Sequence, residues 1–369
     1  MKLIVLGLSL SSAWGNGHAT TWRALLRAFA ARGHDVLFLE RDTPWYAAHR
    51  DLPEADFCRL ALYRDLDELA NWRREIAASD AVMVGSYVPE GVAVGRLVQR
   101  LAAGITVFYD IDTPVTLAKL ARGEHDYISP ELISRYDLYL SFTGGPTLRI
   151  LEERHGTPRA RVLYCSVDPA RYPVLDRPCR WDLSYLGTWS ADRQPALERL
   201  LLEPARRAPQ LRCVVAGAQY PDGIDWPANV ERIEHVAPDA HPGFYAASRF
   251  TLNVTRADML RAGWSPSVRL FEAASCGTPV ISDAWPGIEE LFRPGEEILT
   301  ATGADDVLAA LDDRDGTRRA RIGAAARARV LASHTAAHRA AELEAHLREA
   351  MAAAGEPVGL RRAEEQVIP

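Results

Sequence analysis

One feature constrains the fold more than any other: an alternation of short apolar runs and helical stretches that passes through the chain twice. KLIVLGL leads through a glycine-containing loop into HATTWRALLRAFAARG, and HDVLFLE follows. Further runs lie at 80–88, 105–112, 138–142 and 161–167, and the pattern restarts at 181–189, 211–218, 230–236, 249–255 and 278–283. Apolar runs without polar alternation are strands covered on both faces, which means parallel sheets flanked by helices. DPARYPVLDRPCRW (168–181), with three prolines, separates the halves as a linker. The chain is therefore expected to form two Rossmann-like, doubly wound α/β domains, over 1–170 and 171–335. A C-terminal helix and polar tail over 336–369 are free to pack back on the first domain. Ligands of such sheets bind beyond the carboxyl ends of the strands, so the site belongs in a cleft where the two domains face each other.

Composition removes several chemistries. The formal net charge is −6 and arginines alternate with acids along the helices, which argues against a nucleic-acid partner. Lys2 and Lys119 are the only lysines, and neither is placed for Schiff-base or pyridoxal chemistry. Five cysteines, at 58, 165, 179, 213 and 276, show no paired spacing and read as reduced thiols of a cytoplasmic enzyme, with no zinc site. MKLIVLGLSL lacks a cleavage pattern and reads as a strand, and no segment approaches the apolar length of a transmembrane helix.

The most informative stretch is SPSVRLFEAASCGTPVISD (265–283). Ser265-Pro266 is expected to start a helix and Gly277 to end it. Backbone N–H groups near Ser267 would then form an anion site. Leu270, Phe271 and Ala274 share one face, while Glu272 falls on another with Val268, Arg269 and Cys276. Two readings of Glu272 stand side by side: a carboxylate accepting the hydroxyls of a ribose, or an exposed pair with Arg269.

These residues, with WPGIEELFRPGEEILTA after them, VDPARYP (167–173) and ARGHDVLFLE (31–40), resemble the GT-B glycosyltransferases, in particular family 4-like members and the bacterial CgeB (spore-maturation) branch. The resemblance runs from about residue 1 to about 345 and is strongest over 250–299. It implies that Glu272 binds the ribose of a nucleotide-diphosphate sugar. It also implies that Gly187 admits the diphosphate, Arg193 neutralises it, Gly217 borders the nucleotide, and His235 and Val236 flank the base. Asn253, Arg256, Ser267 and Arg269 complete the expected donor site. Positive side chains and a helix start would supply charge without metal, and no cofactor beyond the donor substrate is implied. The resemblance breaks at Trp264, where typical family 4 enzymes carry a glutamate facing the transferred sugar.

In the first half, SLSSAWGNGHATTW (9–22) lacks the G-x-G-x-x-G of a dinucleotide site, so Glu40 at the end of the second strand is expected to cap this loop. Gly15, Asn16 and Gly17 resemble a loop facing the acceptor and donor sugar. His18 is a candidate general base on an acceptor hydroxyl, or a residue that positions the loop. YDIDTPVTL (109–117) offers Asp112 as a second base or an acceptor ligand. Its D-x-D pattern with Asp110 lies in the half opposite the nucleotide helix, which disfavours a metal pair. Trp14, Trp22, Trp45 and Tyr46 suggest a carbohydrate-stacking wall, against the simpler reading of core aromatics.

The leading expectation is a cytoplasmic, metal-independent hexosyltransferase moving a sugar from a nucleotide-diphosphate donor in the C-terminal domain to an acceptor hydroxyl on a glycan, lipid or protein. The rivals are a sugar-nucleotide epimerase of the same fold and a non-catalytic nucleotide-sugar-binding or coat-assembly protein. Nucleobase, sugar, acceptor and anomeric outcome stay open.

Overall fold

The computed structural model describes residues 1–15, 17–313 and 315–355; Asn16 and the tail beyond 355 lie outside the described residues. Among the described residues thirteen strands form two sheets, and every pairing between them is parallel. The first holds β1 (Lys2–Gly7), β2 (Asp35–Arg41), β3 (Arg59–Tyr63), β4 (Ala81–Gly85), β5 (Ile105–Asp110), β6 (Leu138–Ser141) and β7 (Ala160–Val162), in the order β3-β2-β1-β4-β5-β6-β7. The second holds β8 (Trp181–Leu186), β9 (Cys213–Ala216), β10 (Val230–Ile233), β11 (Ser248–Asn253), β12 (Val280–Asp283) and β13 (Leu299–Ala301), in the order β10-β9-β8-β11-β12-β13. The strand order reverses between β1 and β4 in one sheet and between β8 and β11 in the other. Loops leaving those four strands border the cleft, as the switch-point rule requires.

Five helices matter for the site: α1 (His18–Ala30), α2 (Thr113–Ala121), α3 (Val268–Ser275), α4 (Thr317–Ser333) and α5 (Ala336–Gly355). α1 buries Trp22, Leu25, Leu26 and Phe29, the i, i+3, i+4, i+7 spacing of an amphipathic helix. Trp22 meets Phe38 and Tyr109 edge-on in the core, so it is no part of a sugar-stacking wall, and Trp45 points to solvent at 55% exposure. Edge strands β3 and β13 had no clear signal in the sequence. β3 is half-exposed and β13 has three residues, too few to show a period.

The chain crosses between domains twice. The proline-bearing segment after β7 carries it into the second sheet, and the turn between α4 and α5 brings it back. The crossings touch: Val167 and Thr335 form a β-bridge, and Ala336 N–H donates to the Val167 carbonyl at 2.8 Å. α5 then packs against α1 of the first domain, with Glu344 paired to Arg32 and Glu349 to Arg159 and Arg161. Among the described residues no helix is long and apolar enough to cross a membrane.

Candidate active site

A cavity of about 630 Å³ lies between the domains, and a second of about 330 Å³ adjoins it; Glu272, His235 and Val268 line both. The larger one gathers nearly all of the expected donor residues. Gly187, Arg193, Gly217, Arg256, Ser267 and Arg269 face it from the second domain. Gly15, Gly17, His18 and Asp112 face it from the first.

The helix carrying Glu272 begins later than expected. Ser267, not Ser265, is its N-cap, and Val268 its first residue. The reason lies in the other domain. Ser265 Oγ shares a hydrogen bond with Thr143 Oγ1 at 2.7 Å and donates to the Gly263 carbonyl, while the Pro266 carbonyl accepts from Cys165 Sγ. Those partners hold 265–266 outside the helix. α3 is buried on every face, because α4 packs on it as well as the sheet. The Arg269–Glu272 pair of the alternative reading does not form. Arg269 reaches back over the Tyr185 ring to the Leu186 carbonyl (2.6 Å) and Asn253 Oδ1 (2.9 Å).

Glu272 is 3% exposed. Tyr172 OH donates to Oε1 at 2.8 Å and Tyr245 OH to Oε2 at 3.2 Å, with His241 Nδ1 3.8 Å away. Burial pushes the carboxyl up, but His241 and the two tyrosines outweigh it and hold the group below its ordinary range. The carboxylate is thus ionised, and its remaining lone pairs border both cavities.

Below Glu272 the start of α3 faces two glycines. A Cβ on Gly217, which has φ +150°, would stand 2.0 Å from the Gly187 carbonyl, and a Cβ on Gly187 would meet Tyr185 and Arg269. The two backbone segments that leave β8 and β9 therefore approach each other closely at the cavity wall. Arg193 is tied by Nη1 to the Thr188 carbonyl at 3.2 Å. Asn253 departs from its expected role. It is fully buried behind the cleft, where Oδ1 accepts from Ser267 Oγ and Arg269 while Nδ2 donates to Thr255 and Ser282. It holds Ser267 and Arg269 in place and leaves no atom for a ligand.

Across the cleft, Glu40 caps the first loop, accepting from Leu10 N–H (2.6 Å), Ser11 N–H (2.9 Å) and the hydroxyls of Ser9 and Ser11. That anchor places His18 at the start of α1, edge-on to Tyr87 at 5.3 Å. Burial lowers the imidazole's pKa and Asp112 pulls it back up only in part. His18 Nδ1 has no hydrogen-bond partner among the described residues. Asp112, the N-cap of α2, accepts from Tyr87 OH (2.8 Å) and from Arg256 Nη1 (3.1 Å) of the other domain. Asp110 is buried, accepting from Tyr139 OH, Thr116 Oγ1 and the Asp112 N–H, and burial pushes its carboxyl up to about 6. The two aspartates do not act as a joint ligand pair, since one is sealed in the core.

Trp264 does not line either cavity. Its indole is wedged between Gly145 of the first domain and Gly287 of the second; a Cβ on either glycine would come within 2.4 Å of the ring. Its carbonyl accepts from Gly144 N–H, its N–H donates to the Pro286 carbonyl, and Nε1 donates to Glu290. It holds this place at φ +45°, which few non-glycine residues adopt. In the smaller cavity Trp14 stacks on His49 (4.2 Å) and tilts against His235 (4.4 Å) from the facing domain. Burial lowers the pKa of His235. Tyr46 lines the larger cavity.

Tyr87, Tyr172, His241 and Tyr245 were not singled out from the sequence. Each sits at a different chain position, and a lone tyrosine or histidine carries no local signal. Only Tyr87 has a backbone mark, φ +65°, which the sequence does not reveal.

Residues 193–345 match the model of a family described as glycosyl transferase-like. The whole fold is similar to several solved structures. Sucrose-phosphate synthase from Thermosynechococcus elongatus is 17% identical, with 96% of this chain and 100% of that one covered at a TM-score of 0.69. HepE from Anabaena, solved with UDP and glucose, is 15% identical, with 95% and 100% covered at 0.71. An alpha-glucosyltransferase solved with UDP and a 13-mer DNA is 13% identical, with 94% and 99% covered at 0.70. No curated protein matches the chain. The two facing parallel-sheet domains are those of the GT-B fold.

Proposed function

We propose that this GT-B glycosyltransferase carries a sugar from a nucleoside-diphosphate donor, held by the C-terminal domain, to a hydroxyl of an acceptor presented by the N-terminal domain. The observation that carries the reading is Glu272: an ionised carboxylate, buried yet bordering the cleft, on a helix whose N-terminus faces the same cavity beside Gly187 and Gly217. A ribose on Glu272 places the diphosphate over that helix start and the base towards Trp14 and His235. Arg193, Arg256 and Arg269 supply the positive charge that a departing diphosphate needs, so transfer runs without a metal. His18 and Asp112, on the opposite wall, are the candidates for holding and deprotonating the acceptor hydroxyl. The motif over 265–283 supports a place among the CgeB-like members. Five free thiols support a reducing, cytoplasmic setting. The acidic balance of the chain favours a glycan, lipid or protein acceptor over nucleic acid.

The test is calorimetric titration with UDP, GDP, dTDP and their sugars in EDTA, then with Mg²⁺ or Mn²⁺. One nucleotide bound in EDTA, followed by release of that nucleotide from its sugar when an acceptor is supplied, supports the reading. Binding that appears only with metal refutes the metal-free site. A stable new sugar nucleotide formed from the donor alone would instead identify an epimerase.

A further inference from the structure

An ion pair spans the cleft at the place where both substrates would meet. Arg256 follows β11 in the second domain, and Asp112 follows β5 in the first. Arg256 Nη1 lies 3.1 Å from Asp112 Oδ2, and its Nε lies 3.3 Å from Asp192 Oδ2. Asp192 belongs to the same domain as Arg256 and also accepts from Ala257 N–H, so it anchors the guanidinium locally. Asp112 is the partner from across the cleft. Its Oδ2 accepts from Tyr87 OH at the same time, so that oxygen is engaged twice, and the residue lines the cavity. Both side chains keep contact with the cavity, at 25% and 17% exposure.

A carboxylate in this state is a weaker acceptor and a weaker base towards an acceptor hydroxyl, because the guanidinium offsets its charge. A guanidinium in this state is likewise not fully available to a phosphate. A diphosphate carries more charge than one carboxylate and offers the planar donor fork several oxygens, so it competes well for that fork.

We propose that Arg256 exchanges partners during the reaction: it neutralises Asp112 in the empty enzyme, and turns to the donor's diphosphate when the nucleotide enters. The exchange frees Asp112, still held by Tyr87 and beside His18, to hydrogen-bond the acceptor hydroxyl. This rests on the nucleotide site described above. Its consequences are that the donor binds before the acceptor, and that Asp112 opposes donor binding although it lies in the acceptor's domain.

The test inverts the usual effect of removing an active-site residue. Asp112→Asn should bind the nucleoside diphosphate selected by the panel about three- to fivefold more tightly than wild type, the upper part of the range expected when a partly exposed ion pair no longer has to be broken. The matching nucleoside monophosphate should change by less than about twofold, and sugar transfer should fall. In an Arg256→Ala background, Asp112→Asn should bring no gain, which separates this exchange from general relief of negative charge. Asp112→Ser serves as a second variant with the charge removed, and melting curves verify that each protein folds. Unchanged or weaker diphosphate binding by both folded Asp112 variants would overturn the proposal, as would an equal gain without Arg256. A wild-type protein that binds no nucleotide at all would overturn the donor-site reading and this inference together.

Discussion

Replacing Glu272 separates two jobs that one carboxylate performs. Inside the protein it satisfies Tyr172 OH and Tyr245 OH, both buried. Truncation to alanine strands Tyr245 OH, at about 1–3 kcal/mol, and leaves Tyr172 OH only its contact with His241 Nδ1, partly offset because a buried charge is removed as well. The net is about 2 kcal/mol, or a melting temperature lower by roughly 4–8 °C for a domain of this size. Glutamine keeps one acceptor oxygen and should lose about half as much. Towards ligand, a carboxylate that accepts both ribose hydroxyls contributes about 1.5–3 kcal/mol per bond, so losing both should weaken nucleotide binding a hundredfold or more, by about 3 kcal/mol at least. Stability and binding are thus both expected to fall, and affinity alone cannot tell ribose contact from general damage. The decisive assay is calorimetry with ribo-, 2′-deoxy- and 3′-deoxynucleoside diphosphates on wild type, Glu272→Gln and Glu272→Ala. Wild type should discriminate strongly against the deoxy ligands, and Glu272→Ala should bind all three alike. An alanine variant that still preferred the ribonucleotide would refute the assignment, whatever its melting temperature.

Three further outcomes follow from the geometry. Gly217→Ala should abolish nucleotide binding and lower the melting temperature, since the new Cβ would sit 2.0 Å from the Gly187 carbonyl at a φ closed to alanine; near-normal titration would contradict the close approach. Trp264→Ala loses the interdomain wedge but keeps a strained φ of +45°, whereas Trp264→Gly loses the wedge and relieves the strain. Glycine should therefore be the more stable of the two by about 1 kcal/mol in denaturant titrations, and the reverse order would remove the strain argument. His334 is buried against Phe271 and Phe292, and burial with Arg339 beside it lowers its pKa to about 4. The folded pKa lies below the unfolded value of about 6.5, so this stability is fully present above that pH and is lost as pH falls towards 4, by up to about 3 kcal/mol. His334→Gln should flatten the acid side of the stability profile between those limits; an unaltered profile would count against it.

The two-sheet architecture was legible because central parallel strands are buried on both faces, and continuous runs such as LIVLG and CVVAG have no other use in a chain of this composition. Edge strands β3 and β13 escaped because burial on one side leaves a weak pattern. Within the site, residues tied to local backbone were readable: Gly217 by its place after a strand, Glu40 by its distance from a missing glycine fingerprint. The helix start was misplaced by tertiary competition, since Thr143 and Cys165 claim the atoms of Ser265 and Pro266 that would have opened the helix. Asn253 entered the expected donor site through the resemblance, yet the sequence could not show that Ser267 and Arg269 had already claimed its amide oxygen. The tyrosine pair on Glu272 and the Arg256–Asp112 bridge join residues far apart in the chain, and no local window contains them.

The return of α5 to the first domain bears on how this protein is made. During synthesis the first domain leaves the ribosome with its strands complete but with the α1 surface that α5 covers still bare, and it stays so until the second domain has emerged. The earliest-made half is thus the last to be finished. It needs either a holding factor or enough stability without α5 to wait, and any chain released early, with its second domain intact, still presents that bare surface to its neighbours.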